Sequence, residues 1–320
     1  MEIGSQLLQG LFEMSSEDAR ELALEERAAR KGIAIMLCGL AIFAVLNGIV
    51  KDLTKVFPVN EIVFFRGAFG LIPLTCGLTA IETRPRLRFY HAIANLPHVA
   101  AMTGTLVFAY IAFATLPLGE VTAIFFLQPV LVAVLSSLYL REIIAPKVWI
   151  AVAVGFAGVL LISRPIGFST DVGVFYALAA AICSAFTMMQ QRSLSMRMHT
   201  VEILVWFMAL SALAMLPSFA VYWVTPTWQQ LGFLAVMGLV SGAGQFLLVL
   251  PLKFATASRL APLQYTNLLG GLVVGYLWFS EVPDVAMIIG CAVVVAAAAL
   301  VVSAGQAAEP QLSSADQNRS

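Results

Sequence analysis

Long apolar stretches without charged residues dominate the pattern of this chain, and short polar, charged or proline-containing segments separate them. A transmembrane α-helix needs about 20 mostly apolar residues to cross roughly 30 Å of hydrocarbon. Ten stretches of about that length are present, at residues 32–51, 59–81, 94–115, 118–140, 146–163, 172–191, 201–223, 230–252, 258–280 and 284–304. The pattern therefore predicts an all-α membrane protein with ten transmembrane helices.

The longest apolar stretch has to be divided into two spans. No charged residue occurs between positions 203 and 252, which is too long for a single span. Segment 222–230 contains aromatic residues typical of a membrane interface and Pro226, which favours a turn. We expect a hairpin of two helices that meet at this segment.

The composition excludes a soluble globular domain. Hydrophobic residues make up 60% of the chain and charged residues 11%, whereas a soluble domain has roughly 25% charged residues. The 18 basic and 18 acidic residues cancel, so the net charge gives no indication of nucleic acid as a partner. The expected surroundings are the lipid bilayer of the cell (inner) membrane.

The basic residues predict the orientation. With both termini in the cytoplasm, fourteen Lys and Arg residues lie inside and three lie outside, which agrees with the positive-inside rule. The outer three are Lys51, Lys55 and Arg164. Residues 1–31 are then a cytoplasmic segment with amphipathic and charged parts, either a surface helix or a regulatory element. Residues 305–320 form a polar tail that we expect to be disordered.

Weak internal matches indicate a repeat. At an offset of 141 residues Glu61 falls on Glu202, and at an offset of 139 Gln128 falls on Asn267. The two units would cover residues 32–165 and 172–304. Because each unit holds five spans, an odd number, the second enters the membrane inverted. The loop charges agree, since the basic loops of the first unit match loops without basic residues in the second. Such inverted repeats are typical of secondary transporters with a central site.

Polar residues beside helix breaks are the first candidates for substrate binding. Pro129 lies within the fourth span and Gly270-Gly271 lies in the repeat-matched ninth span, so both positions are candidates for helix breaks and gating. The polar residues near them are Gln128, Gln264, Tyr265 and Asn267. The alternative is that these amides and hydroxyls only join neighbouring helices.

Arg66 is the one charge clearly inside a span. Arg at the centre of a transmembrane helix costs roughly 2.5–3.5 kcal/mol. It is therefore expected to face a substrate or a polar cavity, or else to extend to the membrane surface. Tyr110 and Gln245 are further cavity candidates. Glu61 and Glu202 begin the second and seventh spans, where carboxylates complement the helix dipole; proton coupling is the alternative role.

No pattern of a catalytic or metal site is present. The cysteines stand singly, and the sequence contains neither HExxH nor GxSxG nor a phosphate-binding glycine loop. We therefore expect no enzyme activity, no metal and no cofactor. The fifth and tenth spans contain small residues suited to helix packing or to a homodimer surface, namely Ala151, Gly155, Gly158 and Gly290.

Two blocks of sequence resemble a known family. Residues 116–143 (LPLGEVTAIFFLQPVLVAVLSSLYLREI) with 149–165, and residues 260–281 (LAPLQYTNLLGGLVVGYLWFSE), are similar to the EamA family of the drug/metabolite transporter superfamily. The likeness is nearest to its S-adenosylmethionine, riboflavin and acyl-carnitine carriers. It implies ten spans, cytoplasmic termini, a central cavity and a small-molecule metabolite as substrate. The alternatives are a channel, a non-transporting membrane scaffold or a membrane-embedded enzyme.

Overall fold

A computed structural model describes residues 16–79, 89–140, 146–163, 172–254, 260, 263–264 and 266–297, and within these ranges it contains helices and no strands. The α-helices are α1 Ser16–Leu53, α2 Val59–Thr79, α3 Phe89–Ala94, α4 Leu96–Thr115, α5 Leu118–Phe125, α6 Gln128–Leu140, α7 Pro146–Ser163, α8 Val172–Ser195, α9 Thr200–Met215, α10 Trp228–Val249, α11 Thr266–Phe279 and α12 Val285–Ala297. The 3₁₀ turns Leu216–Ala220 and Leu250–Lys253 extend α9 and α10.

Within the described residues, six helices are long and apolar enough to cross a membrane. They are Glu26–Leu53, Val59–Cys76, Leu96–Thr115, Val172–Ser195, Thr200–Ala220 and Trp228–Val249. Shorter apolar helices are Leu118–Val132, Ala153–Ile162, Thr266–Phe279 and Val285–Ala297. The chain is thus a helical, multi-pass membrane protein, as its sequence predicts, and the number ten for its spans stays a prediction.

The expected hairpin between α9 and α10 is present. The chain leaves helical structure over residues 221–227, and α10 begins with a capping box in which the Thr227 hydroxyl accepts the Gln230 N–H and the Gln230 side chain accepts the Thr227 N–H. A capping box satisfies two backbone donors that a helix N-terminus leaves open. Local capping and Pro226 together therefore define the turn.

The two expected helix breaks differ. α5 ends at Phe125 and α6 begins at Gln128, so Pro129 lies in the first turn of α6, where its missing N–H costs nothing. Gly270 and Gly271, in contrast, lie inside the continuous helix α11. A Cβ at Gly270 would meet the Ala44 Cβ at 2.6 Å, and one at Gly271 would meet the Thr122 Oγ1 at 2.7 Å. These glycines allow close helix packing and do not interrupt the helix.

Close helix crossings hold the bundle together around α2. A Cβ at Gly67 of α2 would lie 2.5 Å from the Met208 carbonyl oxygen of α9, and a Cβ at Gly242 of α10 would lie 2.1 Å from the Gly70 carbonyl oxygen of α2. Such contacts are typical of small residues at membrane helix interfaces. α1 packs on α10 and α11, and α4 packs on α8. The largest buried apolar cluster includes Leu46 and Ile62.

The terminal segments are described only in part. Residues 16–31 belong to α1, which continues without a break into the first predicted span. The boundary at residue 31 therefore remains a prediction of where α1 enters the membrane. Residues 1–15 and the tail 305–320 lie outside the described residues.

Candidate functional site

Three helices surround the side chain of Arg66. Arg66 lies on α2, is 3% exposed, and donates a hydrogen bond from Nη1 to the Tyr110 hydroxyl on α4. Its Cζ lies 5.9 Å from the ring centroid of Phe43 on α1 and 6.0 Å from that of Tyr110, within cation–π range. The structure therefore brings together two candidates, Arg66 and Tyr110, that the sequence pointed to separately, and adds Phe43.

The charge of Arg66 is isolated within the described residues. Its Nε is buried and has no hydrogen-bond partner there, and none of the ion pairs of this part of the chain includes it. Among the Lys and Arg side chains whose burial the structure describes, Arg66 alone is buried. A buried charge without a counter-charge costs several kcal/mol. The site therefore favours an entering anion.

The other polar candidates have different surroundings. The Gln128 amide on α6 donates to the Ser184 carbonyl oxygen at 3.4 Å and to the Met188 sulfur at 3.6 Å, both on α8. The Asn267 Oδ1 on α11 is buried without a partner among the described residues. Gln128 thus has the contacts of a helix-bridging amide, whereas Asn267 has an acceptor left for a ligand.

The remaining candidates belong to the predicted ninth and eighth spans. Gln264 is exposed in a short 3₁₀ segment, and Gln245 is half-buried on α10. Tyr265 lies outside the described residues. No hydrogen bond in the described ranges joins Arg66 or Tyr110 to these residues, to Gln128 or to Asn267.

Glu61 and Glu202 are both buried, and each contacts a segment far along the chain. The Glu61 carboxylate, in the first turn of α2, accepts a hydrogen bond from the Val224 N–H in the connection between α9 and α10. The Glu202 carboxylate, in the first turn of α9, lies 2.8 Å from Nδ1 of His91 on α3. Both carboxylates therefore join distant parts of the chain in addition to facing a helix N-terminus.

A polar network that the sequence analysis did not predict ties together three connections. Lys51 at the end of α1 forms an ion pair with Glu281 and donates to the Leu116 carbonyl oxygen at 2.7 Å. Glu281 also accepts from the Leu118 N–H at 2.9 Å. Ser280, with φ 55°, turns the chain after α11 and positions Glu281.

A cavity of about 210 Å³ lies beside this network. Glu120, Glu281 and Asp284 contribute carboxylates to its wall, together with apolar residues such as Leu272 and Met287. None of the candidate site residues lines it. The cavity is therefore separate from the surroundings of Arg66.

The small residues of α7 and α12 pack against each other within the chain. A Cβ at Gly158 would meet the Val294 side chain at 2.7 Å, and one at Gly290 would meet the Ile162 side chain at 2.5 Å. Gly155 similarly approaches Leu127. These contacts give the glycines a packing role inside one molecule, and Ala151 lies on the same helix, α7.

The sequence model of one transporter family matches the chain twice, over residues 30–164 and again over residues 171–303. The chain belongs to the EamA-like transporter family. Membership places this helical bundle among membrane transport proteins.

Named relatives of this EamA protein transport small molecules. The pseudopaline exporter CntI of Pseudomonas aeruginosa is 29% identical over 84% of this chain and 94% of its own length. The S-adenosylmethionine uptake transporter of Rickettsia bellii is 26% identical over 76% and 83%. The riboflavin transporter of Rhizobium johnstonii is 28% identical over 89% and 95%.

A solved crystal structure supports the fold of this EamA protein. It aligns with a TM-score of 0.56 and 18% sequence identity over 85% of this chain and 96% of the other. The likeness concerns the fold alone.

Proposed function

We propose that this protein is a secondary transporter that moves a small polar or amphipathic metabolite across the cell (inner) membrane by alternating access. The observation that carries the proposal is the buried Arg66, held by Tyr110 between apolar helices and left without a counter-charge in the described residues. Burying a cation costs several kcal/mol, and an anionic group of a substrate would offset this cost by supplying the missing counter-charge.

Two inverted five-helix repeats, residues 32–165 and 172–304, would provide the two conformations. The family match occurs once in each half, which supports a duplication. Glu61 and Glu202 are 141 residues apart and sit in the first turns of α2 and α9. Each reaches into the opposite half, to Val224 and to His91. Reciprocal contacts of this kind are expected of a pseudo-symmetric pair.

The ends of the bundle would then act as gates. With both termini in the cytoplasm, the Lys51–Glu281 ion pair and the Glu61–Val224 contact lie on the outer side, and the Glu202–His91 contact lies on the inner side. Glu61 and Glu202 would break their contacts during the cycle, and proton coupling through them is part of this proposal. Gln128, Pro129 and Asn267 would lie along the pathway.

The named relatives support a metabolite as substrate without fixing the direction. One is named an exporter, another an uptake transporter, and the third carries riboflavin. We therefore leave the direction of transport open and assign only the class of solute. A channel and a non-transporting scaffold are the alternatives of a different class, and a membrane-embedded enzyme is a third.

Solute counterflow in proteoliposomes tests the proposal. The purified protein is reconstituted with unlabelled S-adenosylmethionine or riboflavin inside, and labelled solute is added outside. A transporter accumulates label transiently above equilibrium, because internal solute speeds the return of the binding site. A channel only equilibrates the label, a scaffold passes none, and an enzyme changes the solute chemically. Protein-free liposomes are the control, and equilibration without overshoot for every solute tried contradicts the proposal.

A further inference from the structure

The positive charge of Arg66 has no neutralising group in the described part of the chain. The ion pairs there are Arg30–Glu26, Lys51–Glu281, Lys55–Asp52 and His91–Glu202. Burial of a charge in a low-dielectric interior is tolerated when a partner of opposite charge is present. The missing partner of Arg66 therefore has to be looked for outside these residues.

Neither of the two buried carboxylates forms an ion pair with Arg66. Glu202 lies on α9 against His91. Glu61 shares helix α2 with Arg66, but it contacts the Val224 N–H, and five residues correspond to about 140° around a helix. Neither carboxylate thus occupies the position beside the guanidinium.

Neutral groups satisfy only one side of the guanidinium. The Tyr110 hydroxyl accepts from Nη1, and the rings of Phe43 and Tyr110 lie near Cζ. The buried Nε has no partner among the described residues. Nε and Nη2 form the side of an Arg fork that binds a carboxylate through two parallel N–H···O bonds. Because Tyr110 takes Nη1, the unpartnered Nε is the donor of this side that is left for a ligand.

We propose that Arg66 binds a carboxylate group of the transported metabolite, so that the substrates are carboxylates. This assignment rests on the transport function proposed above. One guanidinium balances one negative charge, whereas a phosphate monoester carries about −1.5 to −2 at neutral pH and would keep an excess charge in the interior. Arg66 is the only buried cation among the Lys and Arg side chains whose burial the structure describes, which favours the single charge of a carboxylate.

The second half of the chain supplies no equivalent cation. The position 141 residues after Arg66 is Phe207, which is completely buried on α9. The pseudo-symmetric site is therefore asymmetric in charge. In this proposal the carboxylate of the substrate binds Arg66 in the first half of the chain, and an uncharged part of the substrate faces the second half.

Matched pairs of compounds test the assignment by ligand-induced thermal stabilisation of the purified protein. The pairs are nicotinate with nicotinamide, biotin with biotinamide, and S-adenosylmethionine with its decarboxylated analogue. We expect the acids to bind the wild type more tightly, by roughly 10- to 150-fold for a charge-assisted pair. A fourth pair, riboflavin 5′-phosphate with riboflavin, tests whether a phosphate group binds better than its neutral parent compound.

Variants connect the preference to Arg66. Arg66→Met removes the charge, and we expect it to abolish the preference for acids. Arg66→Lys keeps the charge without the planar fork, and we expect it to keep part of the preference. Phe207→Met introduces the same side chain at the repeat-matched position, and it should retain the full preference. If Arg66→Met does not fold, the comparison of acids with their neutral analogues on the wild-type protein still tests the preference for carboxylates.

Several outcomes overturn the carboxylate assignment. They are the absence of acid preference in every pair on the wild type, an acid preference that persists in Arg66→Met, and a phosphate preference that exceeds that for carboxylates. Counterflow separates this inference from the proposed function. Transport without acid preference removes the carboxylate site and leaves transport, whereas acid binding without counterflow of any bound compound leaves the site and removes transport.

Discussion

Arg66, Tyr110 and Phe43 show what a single sequence reveals about an individual residue. A charge in an apolar span is conspicuous, so Arg66 could be predicted to matter, and Tyr110 is polar enough to be noticed. Phe43 could not be selected, because one aromatic residue in an apolar span looks like its neighbours. Which side chains of neighbouring helices meet depends on how each helix is rotated about its own axis. A sequence pattern does not give that rotation.

The same limit applies to Gln128 and Asn267, which the sequence treats alike. They match in the repeat, but the Gln128 amide contacts α8 whereas the Asn267 Oδ1 is unpartnered in the described ranges. A buried acceptor without a partner lowers the stability of the fold, whereas a bridging amide contributes typically about 0.6 kcal/mol in a membrane.

We therefore predict that Asn267→Ala and Gln128→Ala differ in their effects on transport and on stability. Asn267→Ala should lower counterflow severalfold and leave the unfolding temperature in detergent unchanged or raise it, because it removes a ligand contact and a buried acceptor without a partner. Gln128→Ala should lower the unfolding temperature with a smaller loss of transport at equal amounts of folded protein. If Asn267→Ala unfolds earlier than Gln128→Ala, Asn267 has a structural role and the prediction is wrong.

At the scale of elements, helices and their turns are easier to predict than helix crossings. Pro226 and its aromatic neighbours predict the hairpin, and Pro129 predicts a break that the structure places at residues 126–127. Gly270-Gly271 is misleading, since glycine also permits close contact. Which of these roles a glycine has depends on the neighbouring helix, here α1 at Ala44.

Gly242 and Gly232 on α10 offer a matched test of helix packing. Gly242→Ala would place a Cβ 2.1 Å from the Gly70 carbonyl oxygen, whereas a Cβ at Gly232 meets nothing within 4 Å. We expect Gly242→Ala to destabilise the protein by about 1–3 kcal/mol. Gly232→Ala should leave stability unchanged or raise it, because Ala favours helix. Thermal unfolding in detergent measures both, and equal unfolding temperatures would contradict the described crossing of α2 and α10.

For the whole molecule, the length of the apolar stretches and the scarcity of charge are enough to predict the class of protein. The helical, multi-pass character and the transporter family are confirmed. Both could be predicted because they depend on composition and on blocks of sequence. The network of Lys51, Leu118 and Glu281 could not be predicted, since it joins residues up to 230 positions apart. Long-range pairing of this kind requires the packed arrangement.

Orientation is a property of the whole molecule that cysteine labelling measures. In a variant without its native cysteines, we expect Thr225→Cys to react with a membrane-impermeant thiol reagent in intact cells. Met196→Cys should react only after permeabilisation, because fourteen basic residues are predicted to hold its side in the cytoplasm. Both positions are exposed, so access within the protein does not limit either reaction. Reaction of position 225 only from the cytoplasm would refute the inverted repeat.

The length of α1 has a mechanical consequence. Its 38 residues correspond to about 57 Å of helix, well beyond the roughly 30 Å of a bilayer core. With the predicted boundary at residue 31, residues 16–31 would extend beyond the membrane as a continuation of the helix that carries Phe43 and Lys51. Near the start of the predicted span, Lys31 Nζ lies 4.8 Å from the centroid of the Phe254 ring. Because α1 is one continuous helix, a small tilt inside the bilayer would displace Ser16 farther than the residues of the predicted span.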